Sequence, residues 1–249
     1  MPRKRQPWVR PARFSYEEGH STGDHAHDEH QLVYSGHGVL SVETEGSRWV
    51  LPTQRAAWVP AGVTHTVFAE STTTMAALYI EDLGPPARDG VAVFAVSALL
   101  RQLVLHLVAD DTAGPERRRV EQVTIDQIAA APSEPLRLQR LVDPRLRIVE
   151  EALRRDPRDD RTLRAFGDIA GASERTLQRL FVAETGTTFG RWRTRLRLQH
   201  GLIWLGRGES VTTAATRSGY DQPSAFIAAF RATFGTTPGR FVRDAAGTA

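Results

Sequence analysis

Histidines are concentrated near the start of the chain, where their spacing suits metal binding. Five of the eight histidines lie between His20 and His37. His25 and His27 are two residues apart, so both side chains would point to the same face of a β-strand. Neutral imidazole nitrogens are ligands for Zn, Fe, Ni and Cu ions. His30 lies an odd number of residues from both and is expected to face elsewhere.

Positive charge is concentrated in the C-terminal part of the chain. From Asp143 to the end there are 18 arginines and 12 acidic residues, a net charge of +6, whereas residues 1–142 carry 14 basic and 17 acidic residues, a net charge of −3. Such a charge asymmetry is typical of a protein whose basic region binds a polyanion. A solvated, arginine-rich surface would have the same composition, so charge alone does not separate these two interpretations.

Bulk composition excludes several classes of protein. The 249 residues suffice for one large domain or two modest ones, and the absence of cysteine excludes disulfides, thiolate metal sites and cysteine nucleophiles. No stretch approaches the ~20 apolar residues that cross a membrane. No apolar core of a secretory signal follows the basic residues 1–5. We therefore expect a cytoplasmic protein with no membrane partner.

The elements that would carry the histidines are short strands. Between about residue 13 and residue 82, apolar and β-branched runs are broken so often by glycine and proline that an all-β sandwich or barrel is predicted. Residues 83–86 end this section. The predicted strands cover residues 31–34, 39–44, 48–51, 56–59, 64–69 and 75–80.

The next section is predicted to be helical. Residues 91–110 are strongly apolar and a second helix is predicted over 115–130. A helix that is apolar on more than one face must be buried, either against the β-domain or against a second subunit in a homodimer. Residues 132–142 begin with Pro-Ser-Glu-Pro and are predicted to be a linker.

Seven short helical segments are predicted after the linker. Asp143 followed by Pro144 is a good helix start. Two stretches share one layout, in which a short helix, a glycine turn and a longer amphipathic helix follow one another. Each is followed by a similar sequence motif, Glu-Thr-Gly-Thr-Thr-Phe in the first and Thr-Phe-Gly-Thr-Thr-Pro in the second, so the pair is an internal repeat. The segments after the first cover residues 162–170, 173–184, 188–206, 211–218, 222–234 and 238–243.

The sequence motifs of this repeat resemble those of the AraC/XylS family of bacterial transcription regulators. Residues 172–181, Ala-Ser-Glu-Arg-Thr-Leu-Gln-Arg-Leu-Phe, and residues 219–238, from Gly-Tyr-Asp-Gln to Phe-Gly-Thr-Thr-Pro, carry the likeness. The resemblance implies two helix-turn-helix units that bind double-stranded operator DNA. An 18-residue helix over 189–206 would be ~27 Å long and could hold the two recognition helices in successive major grooves. A helical bundle that only looks similar is the alternative.

The exposed positions of the two recognition helices are the expected DNA contacts. Arg and Gln can each form two hydrogen bonds to one base, so the first helix is expected to carry most sequence discrimination, with Arg179 on either a base or a phosphate. The second helix offers few hydrogen-bonding groups and is expected to contact the DNA backbone and thymine methyl groups. The expected DNA-binding residues are Ser173, Glu174, Arg175, Thr176, Gln178, Arg179, Gln222, Ser224, Ala225, Ile227, Ala228 and Arg231.

Two features of the segment over residues 188–206 have alternative interpretations. Arg191, Arg193, Arg195 and Arg197 are spaced by two, which scatters them around a helix, so some are expected to touch phosphate and others to pair with acids. Gly201 costs about 1 kcal/mol in helix propensity, and either permits close packing or bends the helix.

The N-terminal section resembles the cupins. Gly19-x5-His25-x-His27-x3-Gln31-x6-Gly38 is similar to their first motif, with Gln31 where metal-binding cupins carry Glu. Pro60-Ala61-Gly62-x2-His65 is similar to the second motif, whose initial Gly and final Asn are Gln54 and Ala69 here. The resemblance implies a cupin-like β-barrel (jelly roll) that serves this regulator family as a sensor.

The cupin resemblance leaves three interpretations of the histidines open. The first is a divalent transition metal (Zn, Fe, Ni or Cu) held by His25, His27, Gln31 and His65, with Glu29 or water completing the shell. The second is a pocket for an organic effector, because sensor cupins often lose their metal. The third is a structural cluster.

Together these patterns predict an α+β multidomain protein. Its parts are a cupin-like sensor barrel (1–82), a helical connector (83–131), a linker (132–142), an all-α double helix-turn-helix domain (143–243) and a flexible tail (244–249). The predicted function is a non-enzymatic, DNA-binding transcription regulator, activator or repressor, that senses a metal ion or small molecule. The alternative is a cupin oxygenase or isomerase with a DNA-binding tail, although the β-section supplies no evident acid/base dyad.

Overall fold

The computed structural model describes residues 9–81, 90–109, 114–134 and 136–246. They divide into two compact units, the first formed by residues 9–44 and 51–134 and the second by residues 45–50 and 136–246. The predicted break at residues 83–86 and the last three residues of the predicted tail lie outside the described residues. The expected α+β arrangement is confirmed, because an antiparallel β-sheet unit precedes a helical one.

The six strands predicted between residues 31 and 80 are present, and β1 begins before residue 13, where the β-section was expected to start. In the first unit a five-stranded antiparallel sheet has the order β1-β7-β2-β5-β8, and β3 pairs with β6. The strands are β1 (Val9–Tyr16), β2 (His30–His37), β3 (Leu40–Thr44), β4 (Ser47–Leu51), β5 (Arg55–Val59), β6 (Thr66–Ala69), β7 (Thr73–Ile80), β8 (Ala92–Ala95) and β9 (Arg137–Gln139).

The two faces of the five-stranded sheet have different roles. Leu32, Tyr34 and Trp58 belong to a buried cluster that includes residues of the two helices that follow. Because strand side chains alternate, Gln31 points away from this cluster, and it is paired in register with Tyr79 of β7. The second face therefore carries Gln31 toward the histidines.

The prediction of one helix over residues 91–110 is wrong at its beginning. Ala92–Ala95 is strand β8, which pairs with β5, and helix α1 starts only at Ala98. A short apolar run does not distinguish a buried strand from a helix by periodicity, and β8 depends on its partner strand. Helices α1 (Ala98–Ala109) and α2 (Pro115–Ala130) pack against the sheet through residues such as Leu100 of α1 and Ile128 of α2, which confirms burial against the β-domain.

The second unit contains the seven helices that the sequence predicts. Polar residues accept a backbone N–H at the starts of six of them, at Asp143, Thr162, Ser173, Thr188, Ser210 and Thr237, which explains why the helix starts could be predicted from the sequence. The helices are α3 (Pro144–Arg155), α4 (Leu163–Ala170), α5 (Glu174–Thr185), α6 (Phe189–Gly206), α7 (Val211–Arg217), α8 (Pro223–Phe234) and α9 (Pro238–Ala246). Within the described ranges, none of these or the earlier helices has both the length and the apolar character to cross a membrane.

Part of the predicted linker is structured, so the C-terminal unit is not all-α. Strand β9 pairs antiparallel with β4, with Ser47 opposite Gln139 and Trp49 opposite Arg137. Gln199 of α6 donates to the backbone carbonyls of Arg48 (3.3 Å) and Leu136 (3.0 Å), which holds this pair against the helix. A three-residue strand whose partner lies about 90 residues earlier leaves no periodic signal in the sequence.

Gly201 allows two helices to pack closely, which is the first of the two predicted roles. A Cβ atom at this position would lie 2.6 Å from Cε2 and 2.8 Å from Cζ of Phe226 in α8. Phe226 is fully buried and packs against Phe230 of the same helix. The missing side chain of Gly201 therefore sets how near α8 can approach α6.

Candidate nucleic-acid interface and metal centre

The first helix-turn-helix unit presents the polar face of α5. Gly171, with φ 65°, turns the chain after α4, and the Ser173 hydroxyl caps α5 by accepting from the N–H of Thr176 (3.1 Å). Leu177 and Phe181 bury the opposite face of α5. The predicted contacts Glu174, Arg175, Gln178 and Arg179 are all exposed, as is Ser173, whereas Thr176 is half-buried.

Two of the polar side chains on α5 already contact each other. The Gln178 amide donates to Glu174 Oε1 at 3.1 Å. Arg175 and Arg179 lie on the same exposed face and supply positive charge. This surface can therefore offer bidentate donors to bases or phosphates, with Gln178 oriented by Glu174.

The second helix-turn-helix presents a smaller, less polar face. Gly219 has φ 85° between α7 and α8, and Phe226 and Phe230 bury one side of α8. Ile227 is half-buried, while the other predicted contacts on or before α8 are exposed: Gln222, Ser224, Ala225, Ala228 and Arg231. Apart from Arg231 and the two polar residues at its start, this face offers methyl groups.

The four arginines of α6 divide into two pairs. Arg197 donates to the backbone carbonyls of Pro157 (2.8 Å) and Asp159 (3.2 Å), and Arg193 donates to that of Arg161 (3.1 Å). Their hydrogen-bond partners are thus carbonyls of the α3–α4 connection, and the carboxylates of Asp159 and Asp160 in the same connection attract the charge of Arg193. Arg191 and Arg195 are exposed and can reach a phosphate.

Sequence reasoning missed the residues that anchor the C-terminal end of α5. The Glu184 carboxylate accepts from the backbone N–H groups of Val142 (2.8 Å) and Asp143 (2.9 Å), just before α3. The Gln139 amide of β9 donates to the Glu184 backbone carbonyl, and Trp192 Nε1 donates to the Gln139 carbonyl (3.2 Å). The first recognition helix is therefore tied to β9, α3 and α6. The sequence carries no local signal for these long-range contacts.

The structure brings His25, His27 and His65 together in the first unit. One ring nitrogen from each lies within 4.8 Å of the others. The strand expected over residues 25–27 is absent: His25 forms only an isolated bridge with His65, and His27 lies in the segment before β2. The two bridge hydrogen bonds, of 3.0 Å and 2.8 Å, bring these backbones side by side. Convergence thus comes from the bridge and not from strand periodicity.

Backbone carbonyls orient two of the three imidazoles. His25 Nδ1 lies 2.9 Å from the Gly23 carbonyl, and His65 Nδ1 lies 2.9 Å from the Val63 carbonyl. When each Nδ1–H donates to its carbonyl, each Nε2 keeps a free lone pair, which is the usual orientation of a metal-binding histidine. His27 Nε2 is buried and finds no hydrogen-bond partner among the described residues.

Gln31 completes the buried wall of this site. Its side-chain amide lies 2.9 Å from His65 Nε2, and Gln31 is 2% exposed. Burial lowers the pKa of His65 to about 4, so the imidazole is neutral at pH 7. The Gln31 atom at this distance is the carbonyl oxygen Oε1, which can accept a hydrogen bond from His65 Nε2–H; with the His65 proton on Nδ1 instead, the amide must be turned by 180° for its NH2 group to donate to Nε2.

The surroundings of the histidines include groups that the sequence did not single out. Arg10 binds Glu29 at 3.0 Å and lies 4.1 Å over the ring of Tyr79, which contacts the His27 ring at 4.9 Å. Glu29, a predicted extra ligand, is therefore paired with Arg10. His30 faces elsewhere as expected, because it stacks on Trp58 at 5.0 Å. The site thus combines three imidazole rings, an amide and the aromatic ring of Tyr79.

Comparisons with known proteins agree with the two-unit division of function. Residues 12–82 match the family model described as an AraC-like ligand binding domain, and residues 166–244 match one described as a helix-turn-helix domain.

Among curated relatives, the HTH-type transcriptional regulator NimR of Escherichia coli (strain K12) is 33% identical over 221 residues, which cover 88% of this chain and 81% of NimR. The transcriptional activator NphR of a Rhodococcus species is 29% identical over 168 residues, 66% of this chain and 43% of NphR. The solved structure of ToxT from Vibrio cholerae O395 aligns over 98% of this chain and all of its own, with a TM-score of 0.42 and 10% identity.

Proposed function

Because this chain belongs to the AraC family of DNA-binding transcription regulators, we propose that it controls transcription in response to a divalent transition metal ion held by His25, His27 and His65. The arrangement of the histidine nitrogens carries this proposal. Two of the rings are oriented by backbone carbonyls through Nδ1, with His65 Nε2 in contact with Gln31, and the third has a buried nitrogen that lacks a protein partner in the described residues.

The donor set fits such an ion. The three nitrogens lie up to 4.8 Å apart, whereas two nitrogens about 2.1 Å from a tetrahedral ion would be roughly 3.4 Å apart. Binding would therefore draw the rings together by about an ångström. The ion would act as a cross-link between the segment before β2 and that before β6, and Gln31 would exchange its contact with His65 for an interaction at the ion or with a water on it.

DNA contact is proposed for the exposed faces of α5 and α8. Arg175, Gln178 and Arg179 supply base-reading donors on α5, and Arg231 with neighbouring methyl groups supplies backbone and thymine contacts on α8. Arg191 and Arg195 of α6 would bind phosphate. An organic effector in the same histidine pocket is the second candidate for the signal, favoured by the aromatic ring of Tyr79 beside His27.

The protein is proposed to act as a homodimer and without catalysis. Leu99 and Leu105 on the exposed side of α1 are 52% and 39% exposed, which supports pairing with a second copy. A role as an enzyme is disfavoured because Glu29, the carboxylate beside the histidines, is paired with Arg10 and so is poorly suited to proton transfer.

Metal binding by the full-length protein tests the proposal. Elemental analysis of the purified chain, and calorimetric titration of chelator-treated protein with Ni²⁺ and Zn²⁺, should show one ion per chain. The His65→Ala variant should bind at least about 100-fold more weakly, because it loses a direct ligand. The His37→Ala variant is the matched control, since His37 is exposed at the end of β2.

A functional readout accompanies the titration. Affinity for a duplex selected from random DNA should change when a chelator is added to the parent protein and to His37→Ala, but not to His65→Ala. Divalent ions that leave both the melting temperature and the DNA affinity of the parent unchanged would exclude a metal signal and leave the organic effector.

A further inference from the structure

The second unit contains a segment from the N-terminal section of the chain. The chain leaves the first unit after Thr44, contributes residues 45–50 to the second unit and returns to the first unit at Leu51. The contributed segment includes most of β4, which pairs with β9. Because a three-residue strand such as β9 is not stable without a partner strand, residues 45–50 help to hold β9 in place.

Polar contacts fix the two strands to each other and to helix α6. The Arg137 guanidinium donates to Ser47 Oγ at 2.7 Å, and the backbone N–H of Arg140 donates to the Gly46 carbonyl at 3.1 Å. The Gln199 side chain of α6, a residue that is 6% exposed, donates to one carbonyl in β4 and to one directly before β9. Since a buried polar group that loses its partner is costly, these hydrogen bonds fix the position of the strand pair on α6.

Strand β9 in turn contacts the first recognition helix in two ways. Leu138 belongs to the buried cluster that includes Leu177 and Phe181 of α5. The Gln139 amide donates to the backbone carbonyl of Glu184, in the last turn of α5. Carbonyls in the last turn of a helix lack partners within the helix, so this hydrogen bond satisfies one of them and holds the end of α5.

We propose that the β4–β9 strand pair positions α5 on DNA, so that residues 45–50 regulate DNA affinity; this presupposes the DNA contacts proposed for α5. Gln139 and Gln199 are the positioning residues, and neither is among the expected DNA contacts. Because Thr44 and Leu51 belong to the first unit, a displacement of either is passed along the chain to β4, and through β9 to the end of α5.

Hydrogen exchange of the full-length protein tests the coupling. If the strand pair sets the position of α5, then DNA bound by α5 must stabilise the strand pair to the same extent. The amides of residues 45–50 and of Arg140, whose N–H donates to Gly46, should therefore exchange at least about 5-fold more slowly when a selected duplex is bound. Unchanged exchange at these amides would overturn the proposal.

The Gln139→Leu variant removes the contact between β9 and the end of α5. It should bind the selected duplex about 5-fold more weakly, because one hydrogen bond is lost, and DNA should no longer slow exchange in residues 45–50. Base preference should relax only at the positions where Arg175→Ala relaxes it, since these are the positions that α5 reads. Gln199→Leu, which frees the strand pair from α6, replaces Gln139→Leu if circular dichroism shows that the latter is unfolded.

Two controls separate positioning from a general loss of stability. Gly201→Ala lies on the same helix as Gln199 but crowds Phe226 of α8, so it should relax base preference at the positions that α8 reads. Arg155→Gln, on α3, should relax neither preference, because its side chain is 79% exposed and pairs with Glu151. Equal relaxation of both preferences by Gln139→Leu would show a structural role only and would overturn the proposal.

The comparison with Arg175→Ala distinguishes this proposal from the proposed DNA contacts of α5. If Arg175→Ala binds the duplex more weakly while Gln139→Leu binds it as the parent does, only the positioning role is overturned. If both variants bind it as the parent does, the DNA contacts proposed for α5 fail and the positioning role fails with them.

Discussion

Replacing Gly201 by alanine should destabilise the protein, although alanine is the better helix former. The new Cβ would lie 2.6 Å and 2.8 Å from two ring carbons of Phe226, where carbon atoms normally approach to about 3.5–4.0 Å. The Phe226 ring would have to move by about an ångström. It is fully buried against Tyr220 and Phe230, so the neighbours must move with it.

The expected magnitude follows from two opposing contributions. Overpacking a buried site costs typically 1–3 kcal/mol, and the gain in helix propensity returns about 1 kcal/mol. A net loss of about 1 kcal/mol in unfolding free energy is therefore expected for Gly201→Ala. Gly190→Ala is the matched control on the same helix, because a Cβ at Gly190 meets nothing within 4 Å. That variant should be stabilised by roughly 0.5 kcal/mol.

Urea unfolding of the full-length variants, followed by circular dichroism at 222 nm, measures both changes. Selected-operator affinity should also fall for Gly201→Ala, since α8 would be displaced from α6, and should hold for Gly190→Ala. If Gly201→Ala were as stable as Gly190→Ala and bound DNA as the parent does, the close packing of α6 on Phe226 would be refuted.

Three further predictions concern strain, anchoring and pH. Gln54 has φ 65°, so Gln54→Gly should stabilise the protein by about 1 kcal/mol in thermal unfolding, whereas Gln54→Ala should give no gain. Arg197→Gln should lower the free energy of unfolding by about 2 kcal/mol, because two backbone carbonyls of the α3–α4 connection lose their donor. Arg195→Gln, at an exposed position of α6, should change the free energy of unfolding by less than about 0.5 kcal/mol. Similar changes for both variants would contradict the anchoring role of Arg197. The pKa of His65 is lowered to about 4 in the folded chain, so protonation of this residue opposes folding. The free energy of unfolding of the metal-free protein should be highest above about pH 6.5 and should fall by on the order of 3 kcal/mol as the pH drops to 4. His65→Gln should not show this fall when urea unfolding is measured at each pH.

Local signals made most of the second unit predictable from sequence. Asp143 and Ser173 cap helices, and Gly171 and Gly219 adopt the positive φ that their turns need, so each boundary is encoded within a few residues. The exposed face of α5 followed from the same periodicity that buries Leu177.

Elements that depend on distant partners were not predictable. Strands β8 and β9 are short and exist because β5 and β4 pair with them. The convergence of the histidines was expected for a reason that the structure does not support, since an isolated bridge brings His25 to His65. The pairing of Glu29 with Arg10 was likewise invisible, because Arg10 lies on β1, a strand that was expected to start later.

Gln54 departs from the cupin motif at a position where the backbone conformation favours glycine. The sequence has Gln54 where the cupin motif begins with glycine, and this residue adopts a positive φ, 65°, in the structure. Its backbone is held by hydrogen bonds from its own N–H to the Ser35 carbonyl and from the Val96 N–H to its carbonyl. The conformation is therefore retained although the residue that best tolerates it is missing.

Selection of preferred sequences from a random pool of duplexes by the full-length protein shows whether both helix-turn-helix units read DNA. We expect two blocks of base preference about one helical turn, or 10–10.5 base pairs, apart. Arg175→Ala should weaken binding by about 1–3 kcal/mol and relax the preference in one block only, while Arg155→Gln should leave both blocks intact. A selected pool without preference, or a preference that Arg175→Ala leaves unchanged, would contradict the placement of the DNA-reading surface on α5.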